Sequence, residues 1–261
     1  PTMKILLKVP IINDKIKASV RQKVIEAFGG RFYEVIVGGA AFNQDVEKFL
    51  RMIDFPYTVG YGMTECGPII CYEDWKRFKM ASCGKAAPRM EVKVLSPDSE
   101  NIVGERVCRA ANVMLGCYKG EDASREAIDA EGWLHTGDLG VIDAEGNITI
   151  KGRSKNMLLS ASGQNIYPEE IEDKLNNLHL VSESIIIQKG DKLVALIHPD
   201  YDEAGEMPEE ELKQVMQTNV KELNTMIPHY SQISRFVIMK DEFEKTPKKS
   251  IKRFLYQNAA D

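Results

Sequence analysis

With 261 residues, 43% of them hydrophobic and 28% charged, the chain has ordinary globular composition and room for one large domain or two small ones. Its formal net charge of −5 argues against a nucleic-acid-binding surface, which needs a basic excess, although a local basic cluster can still hold a phosphate. The five cysteines (Cys66, Cys71, Cys83, Cys108 and Cys117) are odd in number and never spaced as CxxC, which argues against a disulfide framework or zinc site and for a reducing, cytoplasmic setting. No apolar run reaches the length of a membrane span, which leaves peripheral contact as the membrane option. The opening Pro1-Thr2-Met3 has no signal-type core, and a start at proline suggests a missing upstream segment.

In chain order, Tyr33–Val37 reads as a β-strand running into Gly38-Gly39. Asn43 is placed to cap a helix whose Val46, Phe49, Leu50 and Ile53 recur three and four apart. Pro56 ends that helix, and Tyr57–Val59 reads as a second strand. The resulting βαβ unit implies a parallel sheet, with ligands expected beyond the carboxyl ends of its strands, where Gly38-Gly39 and Gly60–Glu65 fall. Met90–Leu95, Arg106–Arg109 and Val141–Ile150 are expected strands of a small β-rich subdomain, with a hairpin turn at Asp143–Asn147. From Gly152 a second α+β module is expected. Pro168 opens a helix with Glu169 and Glu170 at its positive end and Ile171, Leu175 and Leu178 on its buried stripe. Ser184–Gln188 and Leu193–Ile197 make a hairpin around Lys189-Gly190-Asp191. Pro208 starts a longer helix carrying Leu212, Val215, Met216, Val220 and Leu223, and Arg235–Met239 is a last strand before a basic tail.

Four stretches carry candidate chemistry. In Tyr61-Gly62-Met63-Thr64-Glu65, glycine beside a hydroxyl would let backbone amides approach a phosphate, and Glu65 could hold Mg²⁺. In His135-Thr136-Gly137-Asp138, an aspartate at a tight glycine turn could accept from both hydroxyls of a ribose. His135, without a visible partner, reads as a structural hydrogen bonder. In Gly152-Arg153-Ser154-Lys155 and the segment Gly163–Glu172, Arg153 offers a planar fork of donors, and Gly163 marks backbone open to close approach. The tail Lys245–Arg253 could send a lysine to a reacting carboxylate and phosphate, although taken alone it reads as a solvated basic tail. Each of these stretches, by itself, is equally a plain turn or surface cluster.

Together, in order and spacing, they resemble the acyl-adenylate-forming superfamily of acyl-CoA synthetases, luciferases and adenylation domains. Gly38-Gly39-Ala40 is similar to the adenine-side turn, Tyr61–Glu65 to the YGxTE motif, and Thr136-Gly137-Asp138 to the TGD motif. Gly152–Lys155 is similar to the GRxK hinge and Gly163–Glu172 to the GxNIYPxEIE segment. Gln164–Pro168 with Ile251–Phe254 looks most like long-chain fatty acyl-CoA ligases.

The resemblance implies an α/β plus α+β fold: the C-terminal part of the large AMP-binding domain (1–151), then a complete lid (152–261). It implies activation of a fatty acid by ATP to acyl-AMP with Mg²⁺, then transfer to coenzyme A. Thr64 would touch the α-phosphate, Glu65 would hold Mg²⁺, and Asp138 and Arg153 would contact the ribose. The lid would pivot at Lys155 and bring first a tail lysine, then the Gly163 loop, to the reaction. Lys249 is the chosen lysine, with Lys248 and Lys252 as alternatives, because the family position itself falls at Ser250. No Ser/Thr/Gly-rich phosphate loop lies between Pro1 and Val59, so the chain is expected to be inactive alone and to associate through the surface left open. Two other readings stand beside this one: an aryl or amino acid ligase feeding a carrier protein, and a short chain that binds nucleotide without catalysis.

Overall fold

The computed structural model describes residues 10–247, 250–257 and 259. It divides into two compact units, Pro1–Thr136 with Gly140–Ile150, and Gly137–Leu139 with Lys151–Asp261.

The first unit opens with helix α1 (Pro10–Ala27), which is not among the elements expected from the sequence. Its Val20 and Val24, one turn apart, pack with Phe32 and Leu50 around the buried Ile53, Phe55, Tyr57 and Phe78. Strands β1 (Val35–Val37) and β2 (Tyr57–Val59) pair in parallel, with helix α2 (Gln44–Met52) as the crossover. Asn43 caps α2 as expected, its Oδ1 accepting from the amides of Asp45 and Val46 at 3.0 Å each. The buried face of α2 differs from the expected stripe. Val46 and Phe49 are exposed, while Glu47 is buried. The Glu47 carboxylate accepts from Ala81 N at 3.1 Å and from the Tyr57 hydroxyl at 3.3 Å, and these donors make its burial tolerable.

Strands β3 (Tyr61–Gly62), β4 (Ile69–Tyr72) and β5 (Lys85–Ala86) form a small sheet in that order. A four-stranded sheet follows in the order β6 (Glu91–Leu95), β7 (Gly104–Arg109), β8 (Leu134–Ile142) and β9 (Ile148–Arg153), with a short helix α3 (Glu121–Ala127) between β7 and β8. The expected span Val141–Ile150 is thus the meeting of two longer strands. Their turn is held by Asp143 Oδ1, which accepts from Glu145 N at 3.0 Å and Asn147 N at 2.8 Å. Cys66, Cys71, Cys83 and Cys108 are buried free thiols that line this core with Ile70, Leu134 and Ile148.

The second unit contains the short pair β10 (Leu158–Leu159) and β11 (Asn165–Ile166), then α4 (Pro168–Leu175) with Pro168 in its first turn. Leu178 falls beyond the end of α4 yet still packs on the core. Hairpin β12 (Val181–Lys189) and β13 (Lys192–Pro199) is followed by α5 (Tyr201–Ala204), α6 (Glu209–Met226) and β14 (Ile233–Ile238), which lies parallel to β13 and makes it central. Alternation along these strands feeds two cores. Ile186, Ala195 and Ile197 meet Leu175 of α4 and Met216 and Leu223 of α6. Ile185, Ile187, Val194 and Leu196 meet Phe243 and, from the tail, Ile251 and Tyr256. Each fully buried leucine or methionine here contributes roughly 1.5–3 kcal/mol relative to exposure.

Candidate active site

The first candidate group sits at the carboxyl ends of β1 and β2. Val37 pairs with Val59, and Gly60 N donates to Val37 O at 2.8 Å, so Gly38 and Gly60 come together just past the strands. A Cβ on Gly38 would stand 3.0 Å from Gly60 O, and Gly39 has φ +90°, which favours glycine. Gly38, Gly39 and Ala40 are exposed. Tyr61 is laid against the buried Arg106, whose guanidinium carbon lies 4.0 Å from the ring centroid.

Gly62 has a different cause from the one its sequence context suggests. A Cβ there would fall 1.9 Å from Pro68 O, and Met63 N donates to that same carbonyl at 2.8 Å. Glycine therefore serves backbone-to-backbone approach, and the Met63 amide is already committed. Thr64 begins a short 3-10 turn, Thr64–Cys66, and is exposed, while Glu65 is half-buried. The turn is fixed from outside by Met114 N donating to Glu65 O at 2.8 Å and by Asn112 Nδ2 donating to Cys66 O. The Glu65 carboxylate makes no ion pair among the described residues.

Asp138 belongs to the second unit, with Arg153. It lies within β8, not in a tight turn. Gly137, at φ +67°, precedes it within the same strand. Asp138 is 6% exposed, and Arg153 Nε is 3.1 Å from its Oδ1. The arginine side chain is 55% exposed, so the pair shows one buried acceptor and one open fork. Ser154 Oγ donates to Gly137 O at 3.2 Å, tying the same two stretches together again. Lys155 follows in a 3-10 turn, Ser154–Asn156, and is exposed.

Gly163 lies in the turn joining β10 to β11. Ser160 closes this turn, its carbonyl accepting from Gly163 N and its hydroxyl from Gln164 N, both at 2.9 Å. Nothing lies within 4 Å of a Cβ built on Gly163, so its φ of +80° accounts for the glycine.

On either side of Lys248-Lys249 the tail is folded back on itself. Lys245 and Ile251 bridge as antiparallel partners, and Lys252 N donates to Glu244 O at 2.8 Å. Lys245 Nζ reaches Glu183 at 2.8 Å, and Lys252 Nζ reaches Glu244 at 3.1 Å, so Lys252 is engaged in the base of this arch. Lys248 and Lys249 lie outside the described residues.

Three contacts have no local sequence signal. Arg253 pairs with the buried Glu172, 81 residues earlier in the chain. Arg106 lies under Tyr61. Cys66 Sγ lies 3.5 Å from Cys108 Sγ, and that hydrogen bond together with burial holds the Cys66 thiol well above its ordinary range. His135 Nδ1 is 3.0 Å from Glu105, which accounts for its place in the strand.

A strand-end glycine turn, a Thr-Glu turn beside it, and a separate Asp–Arg pair ahead of an α+β module match a known class. Residues 3–118 match the family described as AMP-binding enzyme, and residues 155–259 match its C-terminal domain. The chain belongs to this family of adenylate-forming enzymes. It is 32% identical over 181 residues to the long-chain-fatty-acid–CoA ligase ACSBG1 of Bos taurus, a stretch covering 68% of this chain and 25% of that protein. It is 27% identical over 256 residues to the long-chain-fatty-acid–CoA ligase FadD15 of Mycobacterium bovis, covering 90% of this chain and 42% of the relative. Among solved structures it resembles the o-succinylbenzoate coenzyme A synthetase MenE of Bacillus subtilis in complex with ATP and magnesium ion. There the TM-score is 0.71 and the identity 23%, covering 89% of this chain and 49% of that one, a likeness of fold. The chain thus spans from a quarter to about half the length of these relatives.

Proposed function

We propose that this chain is part of an ATP-dependent acid–thiol ligase that converts a long-chain fatty acid to its coenzyme A thioester through acyl-AMP. The observation that carries the reading is the Asp138–Arg153 pair. A buried carboxylate with an open guanidinium beside it suits a ribose, whose two hydroxyls need an acceptor and whose neighbouring phosphate oxygens favour a cation. The long-chain fatty acid–CoA ligases among the relatives support the substrate class. MenE is a second guide, and it favours an aromatic acid as the competing substrate.

In the first half-reaction a carboxylate oxygen attacks the α-phosphorus of ATP and pyrophosphate leaves. Charge grows on the phosphoryl oxygens, and fixed donors lower that barrier. Thr64, exposed at the head of its turn, is assigned to the α-phosphate, and a tail lysine, Lys249 or Lys248, to the reacting oxygens. Gly38, Gly39, Ala40 and Tyr61–Met63 are assigned to the adenine side and its supporting backbone.

A single half-buried carboxylate, Glu65, fits a magnesium ion that arrives on the phosphates, since Mg²⁺ usually takes one or two carboxylates and keeps phosphate and water for the rest. Among the described residues no three His, Cys, Asp or Glu side chains gather as a protein-only cage. When bound, the ion would neutralise charge developing on the phosphates.

In the second half-reaction the thiol of coenzyme A gives up its proton, sulfur attacks the acyl carbon, and AMP leaves. Residues 152–261 are assigned as a lid pivoting near Lys155, with the Gly163 turn presented to the thiol. Residues 1–151 are assigned to the larger AMP-binding domain. The direct test is to assay the longest natural protein containing this segment with ATP, a fatty acid and coenzyme A. The expected products are AMP, pyrophosphate and acyl-CoA, and formation of ADP with inorganic phosphate would contradict the proposal.

A further inference from the structure

The tail is clasped to the rest of the second unit by a pair of one buried carboxylate and one half-buried guanidinium that the reaction scheme above does not use. Glu172 is the fifth residue of α4 and is 7% exposed. Its Oε1 accepts from Ile186 N of β12 at 2.7 Å, and its Oε2 meets Arg253 Nη2. Arg253 lies one residue past Lys252, on the returning arm of the arch. That arm is otherwise held by the Lys245–Ile251 bridge and by Thr246 N donating to Ser250 O at 2.8 Å. Behind it Tyr256 stacks edge-on against Phe243 with centroids 5.0 Å apart, and its hydroxyl accepts from Glu244 N at 2.7 Å.

A buried carboxylate is costly unless it is paired and fully hydrogen-bonded. Glu172 meets that cost with one backbone amide and one guanidinium. The apolar stack already packs the tail, so a salt bridge is not needed merely to cover the sheet. What it adds is a fixed anchor for the arm that follows Lys248 and Lys249 in sequence. A displacement of about 1 Å in a catalytic group can cost a hundredfold in rate, so such an anchor has chemical value.

We propose that Glu172, acting through Arg253, is a positioning residue for the tail lysine in acyl-adenylate formation and has no part in thioester formation. This rests on the reading that a tail lysine serves the first half-reaction. The test uses the longest natural protein containing this segment, on the alkaline side of neutrality, and measures the two half-reactions separately. The first is read as acid-dependent exchange of pyrophosphate into ATP. The second is consumption of preformed acyl-adenylate by coenzyme A.

Glu172→Gln keeps the acceptor for Ile186 N and removes the charge, and Arg253→Met removes the partner. Each is expected to lower kcat of the first half-reaction by roughly tenfold to a hundredfold with KM for ATP unchanged, and to leave the second intact. The double variant should be no worse than either single one, because the two act as one unit. Arg253→Lys should recover part of the loss. Equal losses in both half-reactions would mark a merely structural pair and overturn the proposal. So would an unchanged first half-reaction. The Lys248→Ala/Lys249→Ala double variant separates the two levels. If it leaves pyrophosphate exchange intact, the lysine reading fails and this proposal falls with it. If it slows exchange while Glu172→Gln does not, only the positioning role fails.

Discussion

Arg153 Nε stands 3.1 Å from Asp138 Oδ1, joining the end of one strand to the middle of another within a single compact unit. The carboxylate is the buried partner and the guanidinium the exposed one, so the two should not contribute equally to a ligand. Asp138→Ala is expected to weaken ATP binding roughly tenfold to a hundredfold, the loss of a hydrogen bond involving a charged group. Arg153→Ala should cost less, because its fork is already in water. Isothermal titration with a non-hydrolysable ATP analogue checks both. Unchanged affinity in both variants would remove the pair from the nucleotide site.

Gly62→Ala places a methyl group where Pro68 O already stands, 1.9 Å from the ideal Cβ. The backbone of β3 or β4 must move, and overpacking of this kind costs typically about 1–3 kcal/mol. Urea unfolding followed by tryptophan fluorescence should show a lower midpoint. A variant as stable as the parent would mean that the approach of these two strands is not as described.

Much of this architecture is written in short-range signals. The βαβ unit is legible because Asn43, Pro56 and the glycines at 38–39 punctuate it, and the α+β module because Pro168 and Pro208 mark helix starts. The orientation of α2 is not legible. Spacing finds an apolar stripe but cannot say that Glu47 would find donors at Ala81 and Tyr57 and turn inward. The placement of Asp138 inside a strand is likewise hidden, since Thr-Gly-Asp has the composition of a turn. The Glu172–Arg253 pair joins residues 81 apart and leaves no local trace. The family resemblance supplies roles for Thr64, Glu65 and the tail lysines. The residues alone leave each of these as an ordinary turn or surface charge.

Burial raises the Glu172 carboxyl from its ordinary 4.5 to about 7, against the pull of Arg253. Between those values the folded chain holds a proton that the unfolded chain has released. The stability this gives is whole below about 4.5 and is lost as pH rises through about 7. Glu172→Gln cannot titrate and lacks this dependence. Unfolding free energies of the two proteins should therefore drift apart between about pH 5 and about pH 8, with the change running against the parent as pH rises. Parallel curves would contradict the raised value.

The 261-residue chain by itself is expected to release no steady pyrophosphate from ATP and a fatty acid, because residues 1–59 hold no Ser/Thr/Gly-rich phosphate loop. Exposed Phe28, Ile36, Val46, Phe49 and Met52 should also make it self-associate, which sedimentation velocity would register as species larger than a monomer. Steady turnover by a monomeric preparation would contradict both expectations.

On the function proposed above, the protein carrying this segment activates a carboxylic acid by adenylation. Pyrophosphate–ATP exchange tests it most directly, because exchange needs only the first half-reaction and its reversal. Exchange is expected to require both Mg²⁺ and a long-chain fatty acid and to fall sharply in Asp138→Ala. Exchange that proceeds without any acid, or none with any fatty, aromatic or amino acid offered, would contradict it.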